Sequence, residues 1–135
     1  MEQSPSPVSP SGPNPLAWRF YVAYCWCSFL LHAAWIAFLV LGWQHRVGLI
    51  EQYAGEYDPS YDAVLGPFLG GLILVALVFG VGALFLIRTR RTPGAWVTHL
   101  INLAIGASTI ILAPIALPTI FLWFRPETRA WFGRS

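Results

Sequence analysis

The chain has 135 residues, of which 56% are hydrophobic, 16% aromatic and 10% charged. A soluble domain carries about 25% charged residues, and a domain this small exposes much of its chain to water. The composition therefore excludes an ordinary soluble globule and a disordered chain, and leaves a small multi-pass membrane protein of all-α class.

The 8 basic and 6 acidic residues give a net charge of +2 and point to no nucleic-acid partner. Every basic residue is Arg. That usage fits the codon bias of a GC-rich genome, or bidentate contacts to the phosphates of lipid headgroups. Cys25 and Cys27 lie two apart, so on a helix they point to different faces and should not bridge.

In chain order, residues 1–15 hold five prolines and four serines. Such a segment cannot build a core and reads as a disordered, solvated tail, a spacer or a docking segment for a partner. It lacks the basic start and early apolar run of a signal peptide, and Glu2 stands where myristoylation needs glycine.

Residues 20–43 are free of formal charge. As a helix they rise roughly 36 Å, enough to cross a hydrocarbon core of about 30 Å. The first span is placed at about 17–43, with Trp18, Arg19 and Trp43 at its two lipid interfaces.

The connector 44–62 holds Glu51, Glu56, Asp58 and Asp62 against Arg46. Tyr53, Tyr57 and Tyr61 recur every four residues, one stripe if the segment is helical. Pro59 interrupts such a helix, so a short interfacial helix followed by a turn is expected. The acids with His45 lack the alternate spacing of an EF-hand. A solvated face, or a partner patch built on the tyrosines, is the alternative to an ion site.

Residues 63–87 are again charge-free and supply the second span, at about 64–87. Gly66 with Gly70, and Ala76 with Gly80, place small residues four apart, which lets helix backbones approach closely. Residues 88–93 form a basic loop with Arg88, Arg90 and Arg91, and Pro93 suits the first turn of the next helix.

Residues 94–124 are 31 residues without a charge, roughly 46 Å if straight and too long for one upright span. Either one long span is kinked at Pro114 and Pro118, or a third span at 95–113 turns there and a short segment, 118–124, returns. The acidic connector should face out and the basic loop the cytoplasm. A single crossing leaves four Arg on each side, whereas a return puts seven inside and one outside. The positive-inside rule therefore favours three spans plus a short fourth segment, with both termini cytoplasmic.

The stretch Phe124-Arg125-Pro126-Glu127-Thr128-Arg129-Ala130-Trp131-Phe132-Gly133 resembles the closing motif of small uncharacterised bacterial multi-pass membrane proteins, R/K-P-E-x-R/K-A-aromatic-F/Y-G. The approach, Arg90-Arg91-Thr92-Pro93-Gly94-Ala95-Trp96, and the prolines 114 and 118 are similar to theirs as well. The likeness covers roughly residues 64–133. It implies four helices and a cytoplasmic C-terminus in a bacterial inner membrane, and it implies no activity. The departure is the shortness of the last segment. By its own chemistry, 125–135 reads as an interfacial tail in which Arg125, Arg129 and Trp131 meet headgroups.

Intramembrane polar residues are the default functional leads. Here they are His32, Asn102, Ser108 and Thr109. His32 lies about 18 Å into its helix and His99 about 8 Å into its own, an offset that argues against a haem shared within one chain. Asn102, Ser108 and Thr109 suit interhelical hydrogen bonds, or bonds back to their own helix. The sequence holds no Walker A loop, no GxSxG, no HExxH and no GxGxxG, and all six acids lie outside the spans. The expectation is a non-enzymatic protein without cofactor that acts by interaction: an accessory, scaffold or lipid-associated protein whose partners are the bilayer and a membrane protein or further copies of itself. The alternatives are an oligomeric channel or small carrier lined by His32, Asn102, Ser108 and Thr109, and a redox or cofactor-binding subunit.

Overall fold

The computed structural model describes residues 15–89 and 91–134. The Ser/Pro-rich tail up to residue 14 and Arg90 lie outside the described residues. The described residues are helical with no strand among them: α1 (Leu16–Gln44), α2 (Arg46–Ala54), α3 (Pro59–Ile87), α4 (Pro93–Ala107), α5 (Ala113–Trp123) and α6 (Pro126–Trp131). They form two compact units, one of residues 23–89, the other combining 15–22 with 91–134.

In the first unit, the long part of α1 and α3 are joined through α2. Both α1 and α3 have 29 residues, about 43 Å of rise, and they are the two helices among the described residues long and apolar enough to cross a membrane. The connector forms the expected short helix and turn. Gly55 ends α2 with a φ of +84°, a backbone open to glycine at no steric cost, and its amide bonds back to the Glu51 carbonyl. Helix α3 starts five residues before the sequence-predicted span. Pro59 occupies its first turn, where a missing N–H costs nothing, and the Asp58 carboxylate caps it by accepting from the Ser60 amide at 2.8 Å. The three tyrosines do not share one helix: Tyr53 is on α2, Tyr57 in the turn and Tyr61 on α3.

The other unit is built on a hairpin. Thr92 caps α4 through the Ala95 amide at 3.1 Å, with Pro93 in the first turn as expected. Helix α4 ends at Ala107, and the chain turns over residues 108–112. Helix α5 then returns until the Trp123 indole donates to the Trp96 carbonyl at 3.2 Å. Two expectations are corrected here. No long kinked helix forms over 94–124, and no single helix covers 95–113. The break precedes Pro114 because the Ser108 and Thr109 hydroxyls donate to the carbonyls of Ile105 and Gly106, at 2.6 and 2.7 Å. Those carbonyls lose their i+4 amide donors when the helix stops and keep the tighter-turn bonds from the Ser108 and Thr109 amides, at 3.2 and 3.1 Å, so the added hydroxyl bonds stabilise the stop. Pro114 falls in the first turn of α5, where it starts the helix rather than ending it, and Pro118 is carried inside α5.

Helix α6 follows Arg125, with Pro126 in its first turn. It closes in a Schellman arrangement: Gly133 at φ +71°, its amide on Ala130 and the Arg134 amide on Arg129, both at 2.9 Å. Thr128 is buried and ties α6 to the end of α5 by donating to the Leu122 carbonyl at 3.0 Å.

Candidate functional site

The most elaborated side-chain cluster lies at the open end of the α4–α5 hairpin. The first turns of α1 contribute Trp18 and Tyr21, α4 contributes Trp96 and His99, α5 contributes Trp123, and the C-terminal segment contributes Trp131 and Phe132. Trp18 meets the rings of Tyr21, His99, Trp131 and Phe132 at centroid distances of 5.5, 5.4, 5.0 and 6.1 Å. Such offset and edge contacts suit the ring quadrupoles. At the centre, His99 and Tyr21 are both fully buried. Asn102 Nδ2 donates to the Tyr21 hydroxyl at 3.1 Å, and the same hydroxyl is hydrogen-bonded to His99 Nδ1 at 2.9 Å.

Two arginines cross between the helices at this end. Arg91, just before α4, lies 3.9 Å above the Trp131 ring of α6. Arg134, just after α6, lies 4.6 Å above the Trp96 ring of α4. The two cation–π contacts are reciprocal and hold the C-terminal segment against the hairpin. The indole nitrogens of Trp96 and Trp131 are buried with no hydrogen-bond partner among the described residues.

Two of the residues read as interfacial, Trp18 and Trp131, pack against each other in this cluster. Trp131 is packed into the cluster and 6% exposed, because the Schellman turn and the tie through Thr128 fold α6 back. Trp18 is half-buried in the same cluster. Arg19, Arg88, Arg91, Arg125 and Arg129 are exposed. Tyr21 carried no sequence signal beyond its place in an apolar run. His99 and Asn102, three apart on one helix face, were the one available hint that a polar group faces α4.

In the unit of residues 23–89, the small-residue motifs meet α1. The Trp43 ring lies across Gly66 and Gly70, within 3.8 and 3.4 Å of where their β-carbons would stand. Ala76, Gly80 and Ala83 are buried. A β-carbon on Gly80 would come within 3.0 Å of His32 Cβ, so glycine here permits the close approach of α1 and α3. His32 Nδ1 donates to the Ser28 carbonyl one turn earlier at 2.7 Å, and its ring stacks near Phe79 at 6.3 Å.

At the other end of this helix pair, Arg46 donates to Asp62 at 2.6 Å and to the Trp43 carbonyl at 3.0 Å, joining the end of α1 to the start of α3. Asp62 also accepts from Tyr57 at 3.3 Å. The backbone amide held by Asp58 keeps its carboxyl below the usual carboxylate range. Of the four connector acids, Asp58 thus serves as a cap and Asp62 as an ion-pair partner. Among the described residues no three His, Cys, Asp or Glu side chains gather as a metal site would need. Tyr53 and Tyr61 are brought together on the walls of an apolar groove between α2 and α3, shared with Leu49, Leu65 and Phe68.

Of the polar quartet His32, Asn102, Ser108 and Thr109, the last two are exposed at the hairpin turn and bonded to their own helix. Asn102 bonds between helices, and His32 belongs to the unit of residues 23–89. Cys25 is buried and Cys27 exposed, and no disulfide joins them. The chain matches no protein-family model, no curated protein and no solved structure.

Proposed function

We propose that this chain is a small multi-pass membrane protein that acts by interaction, as an accessory, scaffold or lipid-associated protein, and not by catalysis. The observation that carries the reading is the unburied apolar surface of α1 and α3. Trp26, Leu30, Trp35, Phe38 and Leu41 on α1, and Val64, Phe68, Leu74, Val78 and Phe85 on α3, are all exposed. Each such side chain forgoes about 1.5–3 kcal/mol if left in water. Ten of them together outweigh the 5–15 kcal/mol net stability of a typical domain. A hydrocarbon layer removes that cost, and 29-residue helices are long enough to span it.

In this reading the acidic connector 44–62 faces outward and the arginine-rich segments face the cytoplasm. A bacterial inner membrane is the setting that the C-terminal resemblance implies. An interaction role is supported by what the polar residues do: Ser108 and Thr109 bond to their own helix, Asn102 to Tyr21, and His32 to Ser28.

The test is alkaline carbonate extraction, followed by native mass measurement in mild detergent from the expressing host. Retention in the pellet and a co-purifying membrane protein or lipid support the reading. Release into the supernatant overturns its membrane part. Solute flux or turnover by the purified chain, lost in His32→Ala, overturns its interaction part.

A further inference from the structure

We propose that the α4–α5 hairpin is a re-entrant element: it dips into one leaflet of the bilayer and returns to the side it entered from, with anionic headgroups held at its arginine-rich base. The inference rests on the membrane reading above and adds the mode of insertion and the lipid class.

Length is the first argument. With 15 and 11 residues, α4 and α5 rise about 22 and 16 Å, short of the roughly 30 Å hydrocarbon core yet sufficient for one leaflet. The chemistry of the tip is the second. Ile110 and Ile111 stand out at the turn, 93% and 68% exposed, and no charged residue occurs from Pro93 to Phe124. Each backbone polar group that finds a partner at the turn lowers the cost of holding the turn at membrane depth. At this turn the Ile105 and Gly106 carbonyls take hydroxyl and amide donors, and the Thr109 carbonyl takes the Ala113 amide at 3.0 Å.

The base is the third argument. Because Trp123 closes onto Trp96, the chain leaves the hairpin where it entered, and Arg91, Arg125, Arg129 and Arg134 gather at that end. Phe20, Leu117, Pro118, Phe121 and Arg125 line one largely apolar groove. An apolar trough with an arginine in its wall suits an acyl chain and the phosphate it is attached to, the groups of an anionic phospholipid.

Single-cysteine variants in a Cys25→Ala, Cys27→Ser background test this. Glu51→Cys, Arg88→Cys, Ile110→Cys and Arg129→Cys are treated with a membrane-impermeant maleimide in right-side-out and inside-out vesicles. A fluorophore placed on the Ile110→Cys thiol is then challenged with brominated lipids in phosphatidylcholine–phosphatidylglycerol vesicles. Arg88→Cys and Arg129→Cys are expected to react from the same side and Glu51→Cys from the other. Ile110→Cys should resist the reagent from both sides, while brominated lipid quenches its fluorophore. Arg125→Gln with Arg129→Gln should lower the phosphatidylglycerol retained on purification at least twofold.

Reaction of Ile110→Cys from the Glu51 side would show a full crossing and overturn the proposal. Opposite sidedness of Arg88→Cys and Arg129→Cys would show a single crossing and overturn it too. A fluorophore reached by neither reagent nor brominated lipid would mean that a second copy or another protein covers the tip, again overturning it. Phosphatidylglycerol retention unchanged in the double variant would remove the anionic-lipid assignment. Equal reaction of Glu51→Cys and Arg88→Cys from one side would instead sink the underlying membrane topology.

Discussion

The Trp123 indole donates to the Trp96 carbonyl across the base of the α4–α5 hairpin, at 3.2 Å. This bond joins the beginning of one helix to the end of the next, with Trp123 itself fully buried among Trp18, Tyr21, His99 and Phe132. Two contributions can be separated. Trp123→Phe removes the hydrogen bond and keeps a ring, at a cost of about 1 kcal/mol. Trp123→Ala also leaves a cavity, at about 3–5 kcal/mol. Unfolding in mixed micelles should rank the variants in that order; equal stability of the two would mean that the cluster is not a packed core.

The glycine at position 80 supports a sharper comparison. Its missing β-carbon would stand 3.0 Å from His32 Cβ, whereas nothing lies within 4 Å of one at Gly82. Gly80→Val should separate α1 from α3 and cost about 1–3 kcal/mol, as overpacking does. Gly82→Val should be tolerated. Disulfide trapping between cysteines on α1 and α3 reads the difference as a lower crosslinking yield for the first variant alone.

Gly133 sits at φ +71°, in the left-handed region. A side chain there costs about 1–2 kcal/mol, enough to loosen a six-residue helix held by a few contacts. Gly133→Ala should free Arg134 from Trp96 and Arg91 from Trp131. The expected readout is faster proteolysis after Arg129, with circular dichroism nearly unchanged because α6 is short. Cleavage at the wild-type rate would show that the Schellman turn does not hold the segment.

The Asp58 cap gives a pH dependence with a defined sign. Its folded carboxyl titrates below the ordinary value because the Ser60 amide favours the charged form. A depressed carboxylate contributes stability above its unfolded pKa, about 3.9, and loses it as pH falls through the folded value. Asp58→Asn keeps the capping geometry and removes this titration. Protection of the first-turn amides of α3, taken relative to the intrinsic exchange rate at each pH, should therefore fall below about pH 4 in the wild type and stay flat in the variant. Parallel pH profiles would assign the acid sensitivity elsewhere.

Much of the local structure was legible in the residues. Pro59, Pro93 and Pro126 sit in the first turns of three helices, since proline is compatible with helix only where its N–H is not needed. The charge-free runs mark α1 and α3 to within a few residues of their ends. The hairpin was foreseen from charge balance, but its break was placed six residues too late. Proline was read as the breaker, whereas the Ser108 and Thr109 hydroxyls bond carbonyls of the last turn and end the helix first.

The sequence by itself determined that the chain is helical, that two helices are long and apolar enough to span a membrane, and that arginine lies outside the apolar runs. These follow from hydropathy, period and length, which are properties of segments. Only the tertiary structure decided that Trp18 and Trp131 join one cluster, that Tyr21 answers both His99 and Asn102, and that Arg91 and Arg134 cover each other's tryptophans. A tryptophan's apolar body and single donor suit a headgroup zone and a packed aromatic core equally well. Which environment it takes is decided by where the rest of the chain brings its partners.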